Sequence, residues 1–177
     1  MNWIEEEQWN SIQRQIPIVC VDILAVEEGS LAGNRLRVGL ILRETPHEGL
    51  KWCTVGGRLL HGESLQDGIR RQLEDALGTE IKFQTSPGLQ PAYVAQYYPG
   101  TEVNPGFDGV DPRKHAIGLT FTIEISGTPK PQHEALDFQW FTVDELQANQ
   151  DIGFHQKPII LACMDRNLLQ RTAPTPR

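Results

Sequence analysis

Between residues 64 and 78 apolar side chains recur at every fourth position, the spacing that places them on one face of an α-helix. The stripe consists of Leu65, Ile69, Leu73 and Leu77. Ser64 precedes the stripe and is the predicted N-cap residue, because its side-chain oxygen can accept a hydrogen bond from the first turn. The pattern therefore predicts an amphipathic helix over 64–77 with one face in the core.

Apolar runs and alternating patterns predict the remaining elements. Strands are predicted at 17–26, 35–44, 51–55, 81–84, 92–98, 115–125 and 137–142. Helices are predicted at 3–13, 143–147 and 157–170. A double-glycine turn is expected at 56–57, and the Gly- and Pro-rich loop at 99–114 has the length of a lid. We expect a mixed β-sheet with helices on its faces, in an α/β domain spanning 1–177 with an N-terminal helix within 1–15 and a disordered tail at 172–177.

Composition narrows the range of functions. The 177 residues carry a net charge of −7, which argues against a nucleic-acid-binding surface. The chain has no apolar run long enough for a transmembrane helix and no signal-peptide pattern at its start, so we expect no membrane partner and a cytoplasmic location. The three cysteines are far apart in the sequence and are expected to be buried, reduced thiols. A small phosphorylated substrate needs only a local basic pocket and remains compatible with this charge.

Several polar residues are candidates for chemistry. Asp22 lies in the middle of an apolar strand, where an unpaired charge is costly to bury, and Arg43 ends the neighbouring strand. On the predicted central helix, Gln72, Asp75 and Ala76 share a second face because residues three and four apart are neighbours.

Glycine, glutamate and arginine fall at fixed spacings around the helix. Gly57, Glu63, Arg71, Leu73 and Gly78 match the Nudix box, Gly-x5-Glu-x7-Arg-Glu-U-x-Glu-Glu-x-Gly-U, in which U is aliphatic. The chain therefore resembles a Nudix hydrolase, and the resemblance implies a Nudix α/β/α sandwich with a mixed β-sheet. The three glutamates of the box are replaced by Gln72, Asp75 and Ala76.

The resemblance also implies a divalent cation, Mg²⁺ or Mn²⁺, on that second helix face. A hard cation prefers oxygen ligands. The residues that would supply them here are Asp75, Gln72, Glu63, Gln132 and the carbonyl of Gly57. Arg71 and Glu63 are also expected to pair with each other and to fix the loop against the helix.

The chain is most similar to one Nudix branch, the GDP-mannose mannosyl hydrolases, which have also lost part of the glutamate cluster. The matching positions are Asp22, Arg43, Gly56-Gly57-Arg58, Arg71, His115 and Gln132-His133. This branch implies attack of water on the anomeric carbon of a nucleoside diphosphate sugar. His133 would be the general base, Asp22 and His115 would hold the sugar hydroxyls, and the diphosphate would be bound by Arg43, Arg58 and Arg71.

Two other functions remain open. A Nudix diphosphatase would cleave the same kind of small-molecule nucleotide at phosphorus, but it needs the acidic residues that are missing here. A degenerate Nudix module would bind a nucleotide or a protein without catalysis, and loss of the glutamates is what such decay would look like. A homodimer is a further alternative for the assembly.

Overall fold

The structure is a computed structural model that describes residues 4–30, 36–85, 88–100, 102 and 104–172. Its helices are α1 (Glu6–Gln15), α2 (Leu65–Leu77), α3 (Val143–Ala148) and α4 (Gln156–Thr172). Its strands are β1 (Ile18–Glu27), β2 (Arg37–Thr45), β3 (Gly49–Cys53), β4 (Val55–Arg58), β5 (Lys82–Phe83), β6 (Tyr93–Tyr98), β7 (Gly109–Val110), β8 (Ala116–Ser126) and β9 (Asp137–Thr142). Within these ranges, no helix is both long and apolar enough to cross a membrane.

Strand β1 lies at the centre of the mixed sheet. It pairs along its whole length with β8 in parallel, from Ile18 opposite Ala116 to Glu27 opposite Ile125. Its other edge is divided between two antiparallel partners, with β4 beside its first half and β2 beside its second half. The remaining strands continue the sheet through β2 and β8. This division leaves β4 as a short strand at the place where the cleft described below forms.

Both faces of the sheet are covered by helices. Ile69, Leu73 and Leu77 of α2 are fully buried in a core on one face, together with Ile23 and Phe121. A second core on the opposite face contains side chains of β1, β2, α3 and α4, including Leu24, Leu40, Leu146, Ile160 and Met164. The predicted Nudix α/β/α sandwich is therefore confirmed.

The central helix follows the prediction closely. Ser64 accepts a hydrogen bond from the backbone N–H of Asp67 (3.1 Å) and caps the helix. Helix α1 begins at Glu6, later than the predicted start at residue 3. Helix α4 extends to Thr172, so the first residue of the predicted tail is helical and 173–177 lie outside the described residues.

The predicted double-glycine turn is wrong, because both glycines lie inside strand β4. Gly56 pairs with Asp22 and Gly57 pairs with Val21 in an antiparallel register. A Cβ atom at Gly56 would lie 2.6 Å from Asp22 Oδ1, and one at Gly57 would lie 2.6 Å from Gln72 Nε2. The glycines are needed because a carboxylate and an amide press against opposite faces of this strand, not because the chain turns there.

Candidate functional site around strand β4

A cleft surrounds strand β4 and consists of three adjoining recesses that share Gly56 and Gly57. The inner chamber, about 90 Å³, lies on the α4 face of the sheet and contains Asp22 and Thr54. The helix recess, about 440 Å³, lies along α2. The mouth, about 710 Å³, is bounded by α1 and opens onto both. The inner chamber and the helix recess meet at β4 because alternate residues of this strand face opposite sides of the sheet.

Asp22 forms the floor of the inner chamber. Its carboxylate lies over two glycines on the strands flanking β1, Gly56 and Gly118, and neither position has room for a Cβ atom. Among the described residues no group donates a hydrogen bond to this carboxylate. Burial raises the pKa of Asp22 to about 6, although Lys114 and Arg43 nearby act in the opposite direction. Asp22 is therefore a poorly solvated carboxylate that lines the inner chamber.

Two further polar atoms of the chamber have no partner among the described residues. Thr54 is only 5% exposed, and its Oγ1 makes no hydrogen bond. The Nε of Arg43 is buried and likewise unpaired. By contrast, Gln156 accepts a hydrogen bond from the backbone N–H of Thr54 (2.9 Å) and also bonds Tyr97. Buried polar groups usually find partners, so the chamber offers free sites to a polar ligand.

The turn that follows β7 supplies two cations that sequence analysis did not select. The Asp111 side chain accepts hydrogen bonds from the backbone N–H of Arg113 (3.0 Å), its Nε (2.9 Å) and its second guanidinium nitrogen (2.7 Å). Lys114 Nζ lies 3.3 Å from the same carboxylate. These donors lower the pKa of Asp111 to about 2 against the effect of burial. Arg113 and Lys114 both line the inner chamber and the mouth.

Two further cations of the mouth, Arg43 and Arg58, contact a carboxylate and an aromatic ring, respectively. Arg43 pairs with Glu134 (2.9 Å), a residue that the sequence analysis also missed. The guanidinium of Arg58 lies 4.0 Å from the ring centroid of Trp9, which α1 brings over the cleft. No sequence pattern links Trp9 to Arg58, because they meet only through the packing of α1. The motif Asp111-Pro-Arg-Lys could have indicated Arg113 and Lys114, because an acid there precedes two basic residues at the end of the long loop.

The helix recess contains the positions where a Nudix box has glutamates. Gln72 is nearly buried and packs against Gly57, whereas Asp75 is 60% exposed and lies 4.0 Å from Arg71. His133 lines the same recess from the loop before β9, with a left-handed φ of 53°. His133 and Asp75 therefore lie on the opposite face of β4 from Asp22.

The predicted pair of Arg71 and Glu63 is formed. Arg71 donates to Glu63 from Nε (2.7 Å) and from a terminal nitrogen (2.9 Å), and it also reaches the carbonyl of Arg58 (3.0 Å). Glu63 accepts a third hydrogen bond from the backbone N–H of Leu60 (2.9 Å). Arg71 lines the helix recess, whereas Glu63 does not line the cleft. The pair ties the loop to α2, as expected.

The remaining predicted site residues lie outside the cleft. The side chain of Gln132 donates to the carbonyl of Glu74 (2.8 Å) and holds its loop against the end of α2. His115 packs edge-on against Phe107, and its Nε2 is buried without a partner among the described residues. The structure thus brings eight predicted site residues to the cleft: Asp22, Arg43, Gly57, Arg58, Arg71, Gln72, Asp75 and His133. It separates His115, Gln132 and Glu63 from it.

Nudix hydrolases generally use divalent metals such as Mg²⁺, so the donor set of the recess can be compared with what such an ion needs. A hard cation takes several oxygen ligands, with carboxylates supplying the charge. Here Glu63 is paired with Arg71, Gln72 is neutral, Ala76 has no ligand atom, Asp75 lies near Arg71, and Glu134 pairs with Arg43. Within the described part of the chain, no three His, Cys, Asp or Glu side chains converge on one point. These residues do not fit a Nudix metal centre.

Known proteins share this architecture. A possible asymmetric diadenosine tetraphosphate hydrolase from Jonesia denitrificans is 27% identical, with 91% of this chain and 99% of that chain covered and a TM-score of 0.73. The Nudix domain of NrtR from Shewanella oneidensis, solved in complex with ADP-ribose, is 16% identical over 92% of this chain and 99% of that chain, with a TM-score of 0.59. These similarities agree with a degenerate Nudix fold.

A curated relative and a family model match the sequence itself. The low-salt glycan biosynthesis protein Agl8 of Haloferax volcanii is 24% identical over 122 residues, which cover 69% of this chain and 68% of that protein. The family model DUF4916, described as a domain of unknown function, matches residues 1–160. The chain therefore belongs to the DUF4916 family, and its fold is that of the Nudix hydrolases.

Proposed function

We propose that the protein hydrolyses a nucleoside diphosphate sugar at the anomeric carbon and releases a nucleoside diphosphate and the free sugar. The observation that carries this proposal is the pairing of a basic cleft with a depleted carboxylate cluster. Cleavage at phosphorus in a Nudix enzyme relies on the cluster, whereas substitution at carbon needs mainly a stabilised leaving group. The glycan-biosynthesis name of the Haloferax relative supports a sugar-containing substrate.

The diphosphate would lie at the mouth, where four cations surround β4. They are Arg43, Arg58, Arg113 and Lys114. Three glutamates, Glu5, Glu6 and Glu134, also line the mouth, so the cations there exceed the acids, whereas the whole chain carries a net charge of −7. Guanidinium groups match phosphate oxygens in geometry, and they would stabilise the negative charge that develops as the bond to the sugar breaks.

The sugar would extend toward the inner chamber, where Asp22 and Thr54 offer free polar atoms. Burial raises the pKa of Asp22 to about 6. This pKa is still below 7, so the carboxylate is ionised at neutral pH. An ionised Asp22 can accept hydrogen bonds from sugar hydroxyls and can stabilise the positive charge that develops on the sugar ring. The chamber, of about 90 Å³, would have room for the hydroxyl groups of a sugar.

His133 is the proposed general base. In the hydrolytic step, its imidazole takes a proton from water while the water oxygen bonds to the anomeric carbon. The bond from that carbon to the phosphate oxygen breaks, and the diphosphate leaves with the electron pair. His133 lines the helix recess and not the inner chamber, so the anomeric carbon would lie at the mouth beside Gly56 and Gly57, where a water next to His133 can reach it.

Turnover of a nucleoside diphosphate sugar panel in ¹⁸O-labelled water tests the proposal. We expect the label in the free sugar, because the water oxygen bonds to carbon. His133→Ala should lower kcat by about 100-fold or more with a smaller change in KM, since a base acts in the transition state. His61→Ala is the control, because His61 is exposed and does not line the cleft. Label in a phosphate product would instead identify a diphosphatase.

A second candidate function is binding without catalysis. The loss of the three-carboxylate cluster favours it, and the Nudix domain of NrtR shows that this fold can be solved with ADP-ribose bound. Binding of a nucleotide sugar without any turnover across the panel would establish this function. In that case His133→Ala would leave the affinity unchanged.

A further inference from the structure

We propose that the cleft binds the diphosphate group through protein cations alone, with Arg43, Arg113 and Lys114 in the place of a divalent metal ion. The inference rests on the proposed function, because it assumes a diphosphate ligand at this cleft. It goes further by assigning Arg113 and Lys114, and by making ligand binding independent of Mg²⁺. Three separate features of the cleft lead to it.

The first feature is the chemistry of the helix recess. The amide of Gln72 packs against Gly57 so closely that no Cβ atom could be added there. Ala76 is buried and offers no ligand atom. The carboxylate of Asp75 lies near Arg71, so the charge that remains on this face is already partly balanced. The second carboxylate of this recess, Glu134, pairs with Arg43 at 2.9 Å, so both acids are already engaged by arginines and neither is free to hold a divalent ion firmly against a diphosphate.

The second feature is the way Asp111 fixes two cations on the other side of β4. Its buried carboxylate holds both the backbone and the guanidinium of Arg113, and it lies within 3.3 Å of Lys114 Nζ. The side chain of Arg113 remains 40% exposed, so its guanidinium can still reach a ligand at the mouth. Cations that are positioned in advance lose less conformational entropy on binding. Asp111 is thus a positioning residue.

The third feature identifies the charge of the missing partner. Arg43 Nε is buried and has no partner in the described part of the chain, and an arginine nitrogen can only donate a hydrogen bond. The group it lacks is therefore an acceptor such as a phosphate oxygen, and not a metal ion. Arg43 lines the mouth together with Arg113 and Lys114.

Calorimetric titration with ADP, GDP and UDP, in EDTA and separately in Mg²⁺, tests the inference. We expect dissociation constants that agree within about threefold between the two buffers. Arg113→Gln and Lys114→Gln should each weaken binding about tenfold, the usual effect of losing a hydrogen bond to a charged group. Arg37→Gln is the matched control, because Arg37 is similarly exposed and pairs with one acid, Glu27, away from the cleft. The affinity of the Arg37→Gln variant for the three nucleotides should equal that of the unaltered protein.

The competing site is tested by Asp75→Asn, a substitution of equal size at an exposed position. We expect no change in affinity in either buffer. Binding that requires Mg²⁺ and is weakened by Asp75→Asn would overturn the inference while leaving the hydrolysis proposal intact. Binding in EDTA without turnover of any nucleotide sugar would support the inference and reject the hydrolysis. No binding of the three nucleotides in either buffer would overturn the inference.

Discussion

Two aspartates of the same cleft are held in opposite ways. Asp111, at the turn after β7, accepts three hydrogen bonds from Arg113, and its pKa falls to about 2. Asp22, on the floor of the inner chamber, lies over two glycines without a donor among the described residues, and its pKa rises to about 6. Both are poorly solvated, so the number of donors decides the direction of the shift.

The two aspartates have opposite effects on the stability of the fold. Asp111 stabilises the fold because the native state favours its charged form. Asp22 destabilises the fold at neutral pH, because the native state must bury a charge that the unfolded chain leaves in water. Natural proteins tolerate such local conflicts mainly at functional sites. Under the proposed function, Asp22 faces the ligand and Asp111 supports the cations that bind it.

Asp22→Asn should give the largest change. We expect turnover of the nucleotide sugar to fall about 100-fold, because a hydrogen-bonded charge at the sugar is lost. At pH 8 the free energy of unfolding should rise by up to about 3 kcal/mol, since the buried charge is removed. Urea unfolding measures this gain. Because the folded pKa of Asp22 is raised from 3.8 to about 6, the gain should grow from near zero at pH 4 to its full value above pH 6. A variant that is destabilised at pH 8 would refute this account of Asp22.

Asp111→Asn should act in the opposite direction. We expect the free energy of unfolding to fall by about 2 kcal/mol at pH 7, because the substitution removes the charge that Arg113 and Lys114 stabilise. Thermal unfolding should shift down by roughly 4–8 °C in a protein of this size. The folded pKa is lowered to about 2 from 3.8, so the difference should disappear as pH falls from about 4 toward 2. Affinity for ADP should also fall, because Arg113 and Lys114 lose their support. An unchanged free energy of unfolding at pH 7 would contradict the view that Asp111 stabilises the fold and Asp22 does not.

Glu63→Gln should give the smallest effect and sharpen the comparison. Glu63 resembles Asp111 in its donors, since Arg71 and the Leu60 backbone N–H lower its pKa, but it does not line the cleft. We expect a loss of about 1 kcal/mol in the free energy of unfolding, typical of a half-buried ion pair that keeps one partner. Affinity for ADP should not change. A clear loss of affinity at constant stability would show that Glu63 reaches the ligand or its metal.

Local sequence patterns were sufficient for the central helix and the mixed sheet. The leucine-rich stripe and Ser64 predicted α2, because a helix face and a capping oxygen depend on neighbours only a few residues away. The apolar runs predicted most strands for the same reason. The pair Gly56-Gly57 has the pattern of a turn but lies in a strand, because Asp22 and Gln72, the residues that require glycine there, are distant in sequence.

The sequence alone determined the type of fold, the candidate residues Asp22, Arg43 and Arg58, and the loss of the Nudix glutamates. The tertiary structure decided which charges meet. It placed Asp22 and Asp75 on opposite faces of β4, took His115 away from the cleft, and brought in Arg113, Lys114 and Glu134. The physical reason is that charge pairing and burial depend on distances across the sheet, and strand register and helix packing set these distances.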